Sequence, residues 1–300
     1  TVTVFETIPT DHPKSEMAHP TLTASLAALV DSGTPGPLAP VLMTAAVYLV
    51  IALSWKLLSS PSWGKLFMRA HYAFLSVLSL VMFVGVVVAA FNVWRRGREE
   101  TTGSGLSARA MSLICLKPGE SMDPSLFFWM WVFHKSKYIE IIDTVIILHQ
   151  GRPLTFLHYF HHALVIFQSW TWLEGQLVFT WIGAAFNSFV HIVMYYFYYV
   201  GASGRRVSWR ARITQLQIVQ FMCSFAVVVW FYWVHYSAPV QALGGCRGSE
   251  WVGFSIFFNG ALLFLFIRLA GAAGARPNAG TRKAVLADSK SPGGASLKSD

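Results

Sequence analysis

The chain has 300 residues, 54% hydrophobic and 12% charged, and its mean hydropathy is +0.49. A soluble domain carries about 25% charged residues, so the composition excludes an ordinary soluble protein and predicts a membrane protein. Three cysteines exclude a disulfide-rich scaffold. The net charge of +9 does not point to nucleic acid, because the basic residues follow the loops.

Residues 1–38 are polar and dotted with proline, without the basic patch and apolar core of a cleavable signal. They read as an N-terminal segment outside the membrane. A crossing helix needs about 20 mostly apolar residues. Seven stretches qualify: 39–58, 70–94, 126–148, 155–173, 177–200, 212–235 and 251–270. The expected fold is therefore an all-α integral membrane protein with a seven-helix domain over 39–270. Residues 271–300, rich in Gly, Ala, Ser and Lys, read as a disordered tail. Basic loops face the cytoplasm. The side holding Lys65, Arg69, Arg152, Arg205, Arg206 and the C-terminal tail carries 14 Lys and Arg against seven on the other. Arg95, Arg96 and Arg98 run against this bias, yet the balance predicts a lumenal N-terminus and a cytosolic C-terminus.

Four consecutive spans carry polar stripes. In the third, Lys137, Glu140 and Asp143 recur every three residues, with Thr144 next and His134 before them; Lys135 lies alongside. A snorkelling patch is the bland alternative, but Asp143 sits among isoleucines and is too short to reach the headgroups. The fourth span carries His158, His161 and His162, an H-x-x-H-H box. Residues at i, i+3 and i+4 share a helix face, and an ionisable group inside a membrane marks a functional site by default. In the fifth, Asn187, His191, Tyr195 and Tyr198 share a face. In the sixth, Thr214, Gln217 and Gln220 form a stripe that, alone, reads as interhelical glue. Together the four predict a helix bundle around a polar chamber.

A histidine-rich chamber admits two chemistries. Di-iron oxygenases such as desaturases use about eight histidines in several boxes. Here ten histidines include His12 and His19 in the N-terminal segment and only one H-x-x-H-H box. That is too few at ligand spacing for two irons, although a single metal remains an alternative. The other chemistry is metal-free, with imidazole as base or nucleophile oriented by a carboxylate. A seven-helix receptor or transporter is a third reading. A retinal protein would need a lysine in the last span, and 251–270 has none.

From about residue 60 to 270 the motifs resemble the membrane fatty-acid elongases, the very-long-chain 3-oxoacyl-CoA synthases. K-x-x-E-x-x-D-T stands at Lys137 to Thr144, H-x-x-H-H at His158 to His162, H-x-x-M-Y-x-x-Y at His191 to Tyr198, and T-Q-x-Q-x-x-Q at Thr214 to Gln220. Singly each is weak, but all four in family order are specific. The resemblance implies an acyltransferase that joins an acyl-CoA to the two-carbon unit of malonyl-CoA, releasing carbon dioxide and coenzyme A. It implies a six-helix barrel around an acyl tunnel, with the first helix outside, in the endoplasmic-reticulum membrane. No tightly bound cofactor and no metal are expected. The expected partners are acyl-CoA, malonyl-CoA, membrane lipid, the reductase and dehydratase of the cycle and, as a candidate, a second copy of the chain.

The roles follow from the resemblance as expectations. His161 is the candidate nucleophile, and His158 and His162 are its supports. His191 polarises a developing oxyanion, while Glu140 and Asp143 set tautomers. Lys137, Asn187, Tyr195, Tyr198, Thr214, Gln217 and Gln220 bind substrate, and Arg205 and Arg206 draw the CoA phosphates. Cys115 and Cys246 both fall on the lumenal side, where disulfides persist, and the resemblance supports their pairing. Two features depart from family habit. No dilysine ends the chain. Pro153, five before His158, replaces the Gln of polyunsaturated-type elongases, which tilts the expected substrate toward saturated or monounsaturated chains.

Overall fold

The computed structural model describes residues 37–54, 64–96 and 111–274, with backbone alone for 50–54. The polar N-terminal segment up to 36 and the tail from 275 lie outside the described residues. Among the described residues, nine α-helices are taken in chain order: α1 Leu38–Ser54, α2 Lys65–Arg96, α3 Pro124–Ile139, α4 Ile141–His149, α5 Phe156–Glu174, α6 Thr180–Ala202, α7 Arg210–His235, α8 Ala238–Gln241 and α9 Val252–Gly274, with a 3-10 turn at Ser249–Trp251 before α9. No strand occurs among the described residues.

Among the described residues, three helical stretches are long and apolar enough to cross a membrane, Lys65–Arg96, Arg210–His235 and Ser249–Ala272; Leu38–Leu49 is a shorter apolar helix. Two expected boundaries shift. The last helix runs to Gly274, so residues 271–274, assigned above to a disordered tail, are helical. The third span, expected as one helix over 126–148, is divided at Glu140. There the Asp143 amide donates to the Glu140 carbonyl (3.0 Å), one residue closer than an α-helix requires. The sequence around the break, Ile139, Ile141, Ile142, Thr144 and Val145, is mostly β-branched and stiff at χ1, which weakens its helix preference.

Local signals set the helix starts. Asp123 caps α3, its Oδ1 accepting from the amides of Ser125 (2.9 Å) and Leu126 (3.4 Å), and Pro124 occupies the first helical position. Thr155 caps α5, its hydroxyl accepting from the His158 amide (3.3 Å). That cap sets the first turn of the histidine box.

Packing follows the apolar faces. Neighbouring pairs run α2–α6, α6–α7, α7–α9, α9–α5, α5–α3 and α3–α2, returning to the starting helix, while α1 lies against α5 and α4. Met82, Val86 and Ala89 of α2 bury against Leu126, Phe127 and Met130 of α3. Gly85 allows this approach, because a Cβ there would strike the Trp129 indole. A second apolar cluster joins Phe179, Val228, Phe231 and Val252, and a third joins Ile166, Trp170, Phe221, Phe258 and Leu262.

One end of the bundle is tied covalently. Cys115 and Cys246 form a disulfide across 131 residues of sequence. Arg247 donates to the Glu120 carbonyl, and the Gln176 side chain accepts from the Met122 amide (2.7 Å). Gly248 has a φ of 77°, and a Cβ there would meet the Gly175 carbonyl. Closing so long a loop removes entropy from the unfolded chain. Reduction, or Cys115→Ser, is therefore expected to cost about 2–5 kcal/mol, read as a lower thermal midpoint. Unreduced, denatured protein should present only Cys223 to maleimide, and labelling of three thiols would contradict the bond.

Candidate active site

The buried polar groups gather where α3 passes into α4, opposite the disulfide. Lys137 is 1% exposed and Glu140 1%. Burying either charge alone in an apolar interior costs several kcal/mol, and each is compensated. Lys137 Nζ donates to Glu140 Oε1 (2.7 Å) and to Asn187 Oδ1 on α6 (3.0 Å), and lies 4.2 Å from the Phe133 ring centre. His191 Nδ1 stands 3.4 Å from Glu140 Oε1. This is electrostatic contact without hydrogen-bond alignment, and among the described residues Nδ1 has no hydrogen-bond partner. Glu140 Oε2 is likewise unpartnered. The Glu140 carboxylate thus keeps spare acceptor capacity facing an imidazole.

Asp143 sits one helical turn on and is fully engaged. Its Oδ1 is hydrogen-bonded to His71 Nε2 of α2 (2.8 Å), and its Oδ2 accepts from the Tyr195 hydroxyl of α6 (2.7 Å). Thr144 Oγ1 is hydrogen-bonded to His158 Nε2 (2.8 Å) and to the Tyr48 hydroxyl of α1 (3.1 Å). The three box histidines therefore differ. His158 is held by Thr144 and lies 4.3 Å from the His162 ring centre. His162 is buried, with Nδ1 unpartnered, and lies 6.2 Å from the Tyr48 ring. His161 meets His162 edge-on at 5.1 Å and stacks on Phe258 at 6.3 Å.

His161 alone of the three lines a narrow internal cavity of about 40 Å³. Asn187 and Gln220 share its polar wall, and Phe133, Trp172 and Leu262 contribute to its apolar one. Among the described residues, no three His, Cys, Asp or Glu side chains converge as metal ligands.

Several predicted roles change with these positions. Asp143 orients His71, not a box histidine, so its expected tautomer role falls on a residue outside the motifs. The Tyr195 hydroxyl, expected on substrate, is spent on Asp143, and the ring is buried. The Lys137 ammonium, expected on substrate, is held by Glu140 and Asn187. Tyr198, 41% exposed, packs on Tyr72 (5.5 Å) and Tyr195 (6.3 Å). In the glutamine stripe only Gln220 reaches the cavity. Gln217 makes a weak contact with Met194 Sδ at 4.0 Å, and Thr214 is half-buried away from the cavity wall. Arg205 and Arg206 are exposed in the turn after α6. His134, read as extending the acid stripe, is buried on Ser169 (2.9 Å), and the Lys135 ammonium lies over Trp131 and Tyr138.

Sequence reasoning missed two residues of the cluster, Tyr48 and His71. His71 carried a signal, being an ionisable side chain in an apolar helix. Tyr48 carried none, since tyrosine is common in such helices.

The fold and site define a class: an all-helical membrane protein whose polar motifs converge on a buried histidine cluster. The profile of the ELO family, GNS1/SUR4, matches residues 36–273. Among relatives, fatty acid elongase sre1 of Dictyostelium discoideum is 32% identical over 66% of this chain and 72% of its own. Fatty acid elongase 2 of Trypanosoma brucei brucei is 30% identical over 70% and 75%. Long chain fatty acid elongase 1 of Caenorhabditis elegans is 36% identical over 58% and 61%. The chain belongs to the ELO family of membrane fatty-acid elongases.

Proposed function

We propose that this protein is the condensing enzyme of fatty-acid elongation, converting an acyl-CoA and malonyl-CoA into a 3-oxoacyl-CoA two carbons longer, carbon dioxide and CoA. The observation that carries this reading is the division of labour in the histidine box. His158 is hydrogen-bonded to Thr144 and His162 is buried against the His158 and His161 rings, while His161 lines the cavity. A nucleophile needs this arrangement: reach for the substrate, with neighbours that hold its orientation.

In the first half-reaction a ring nitrogen of His161 attacks the thioester carbonyl. The C–S bond breaks, CoA leaves as the thiol with the imidazole proton, and an acyl-imidazole remains. In the second, the malonyl C–C bond breaks and carbon dioxide departs. The electron pair left on the two-carbon unit attacks the acyl carbonyl, the C–N bond returns its electrons to His161, and that ring nitrogen takes up one proton from solvent to restore the neutral imidazole. His191 beside Glu140 would stabilise the enolate oxygen, and Asn187 and Gln220 would hydrogen-bond the acyl oxygen.

The closed circuit of helix neighbours supports a six-helix barrel around an acyl tunnel, with α1 outside. The excess of Lys and Arg at the end bearing Arg205 and Arg206 supports a cytosolic mouth for CoA. The lumenal N-terminus, residence in the endoplasmic reticulum, and service to a reductase and a dehydratase belong to the same reading. Purified protein in lipid nanodiscs, given malonyl-CoA and a panel of saturated and unsaturated acyl-CoAs, should form 3-oxoacyl-CoA with and without a chelator. No product from any chain length overturns the function, and loss of product with chelator overturns the metal-free chemistry.

A further inference from the structure

Asp143 is the junction of the cluster, and one of the two groups that hold it, His71, lies outside the four motifs. Its carboxylate has two hydrogen-bond partners on two different helices, His71 on α2 at 2.8 Å and Tyr195 on α6 at 2.7 Å. Among the described residues His71 is its only ion partner, since Lys137 is engaged by Glu140 and Asn187. His71 is itself buried, stacked on Phe67 (6.3 Å) and tilted against Tyr72 (5.7 Å). It has few alternative orientations.

The element that Asp143 anchors needs an anchor. α4 has nine residues, far below the length at which a helix is stable alone, and it is set off from α3 by the tight turn at Glu140. Its packing neighbours are α1, α3 and α5. The Asp143 carboxylate hydrogen-bonds it to α2 and α6, and at its C-terminal cap the Gln150 amide adds a contact to Met68 of α2. The next residue, Thr144, holds His158. The Tyr195 ring lies edge-on to His191 at 5.4 Å. One carboxylate therefore relays the position of α2 to both histidine groups of the site.

We propose that His71 is a positioning residue for the reaction: by holding Asp143 it fixes α4, and through α4 and Tyr195 it sets the orientation of His158 and His191. The proposal deepens the elongase reading and rests on it for its kinetic test. It touches no substrate atom, so it acts on turnover and leaves substrate affinity alone.

The experiment uses the full chain with His71→Leu and His71→Gln, each alone and in an Asp143→Asn background. Leucine keeps the bulk and loses the N–H, while glutamine keeps an N–H near the position of Nε2. Loss of a group that orients a ligand or catalytic side chain typically costs about 10–100-fold. His71→Leu should lower kcat by about that factor with KM within about twofold, and His71→Gln should recover most of the loss. In the Asp143→Asn background the leucine substitution should add little, because the two residues act as one unit. Unchanged kcat in His71→Leu, an effect confined to KM, equal loss in both variants, or full additivity overturns the proposal. Hydrogen exchange over 141–149 tests the anchor whatever reaction the protein performs. It should quicken in His71→Leu and not in His71→Gln, and unchanged exchange in both also overturns it. Absence of product from the wild-type protein is a different result, which removes the elongase reading and leaves the exchange measurement to decide the anchor.

Discussion

His161→Ala is expected to abolish condensation, with a loss on the order of 10³-fold or more, the range for removing a group that does chemistry. The sharper readout is the covalent intermediate. Wild-type protein incubated with an acyl-CoA alone should gain the mass of one acyl group, located on the peptide that contains His161, and release one CoA. The alanine variant should gain none. His158→Ala and His162→Ala should be impaired but keep a detectable adduct, because these rings support His161 and do not line the cavity. A wild-type protein that turns over yet never carries an acyl group would replace the two-step route with direct condensation, in which histidine serves only as base. Retention of activity in His161→Ala would remove that residue from the chemistry altogether.

The second large effect concerns the buried pair Lys137–Glu140. Both side chains are almost wholly inaccessible, and their atoms meet at 2.7 Å. Lys137→Met keeps the bulk of the side chain but strands the Glu140 carboxylate, and it frees Asn187 Oδ1. Breaking a buried pair from one side costs about 3–5 kcal/mol. At roughly 2–4 °C per kcal/mol for a chain of this size, the thermal midpoint should fall by about 10 °C. The double variant Lys137→Met with Glu140→Leu removes both charges and should regain most of that stability, since replacing a buried pair by apolar groups is often neutral or better. It should remain inactive, because His191 has then lost the carboxylate at 3.4 Å. Stability lost equally in the single and double variants would mean that packing, not charge, holds this site. Activity in the double variant would remove Glu140 from the mechanism.

Much of this was legible before any coordinates. Composition required a membrane protein, because a chain with 12% charged residues cannot cover itself with polar surface. The polar stripes were legible because ionisable groups are so costly in lipid that their spacing reports a shared buried face. The break at Glu140 was not, since periodicity reads a helix straight through a β-branched run. Nor was the engagement of Asp143 and Tyr195. The motifs give Asp143 a tautomer-setting role and Tyr195 a substrate-binding one, and a motif does not say which neighbour takes a hydrogen bond.

Composition and residue spacing are enough to read the class of molecule, the helix-forming stretches, the four motifs and the set of groups that must face one another. Those follow from interactions local in the chain or from the uniform cost of burying charge. Packing across the bundle sets which histidine of the box lines the cavity, that Asp143 belongs to His71, and that Tyr48 of α1 reaches the site. The partners in these contacts are 72 and 96 residues apart. Helices of similar apolar face can pack in many rotations, and the rotation chosen is set by the sum of all the buried contacts. No local stretch of sequence contains that sum.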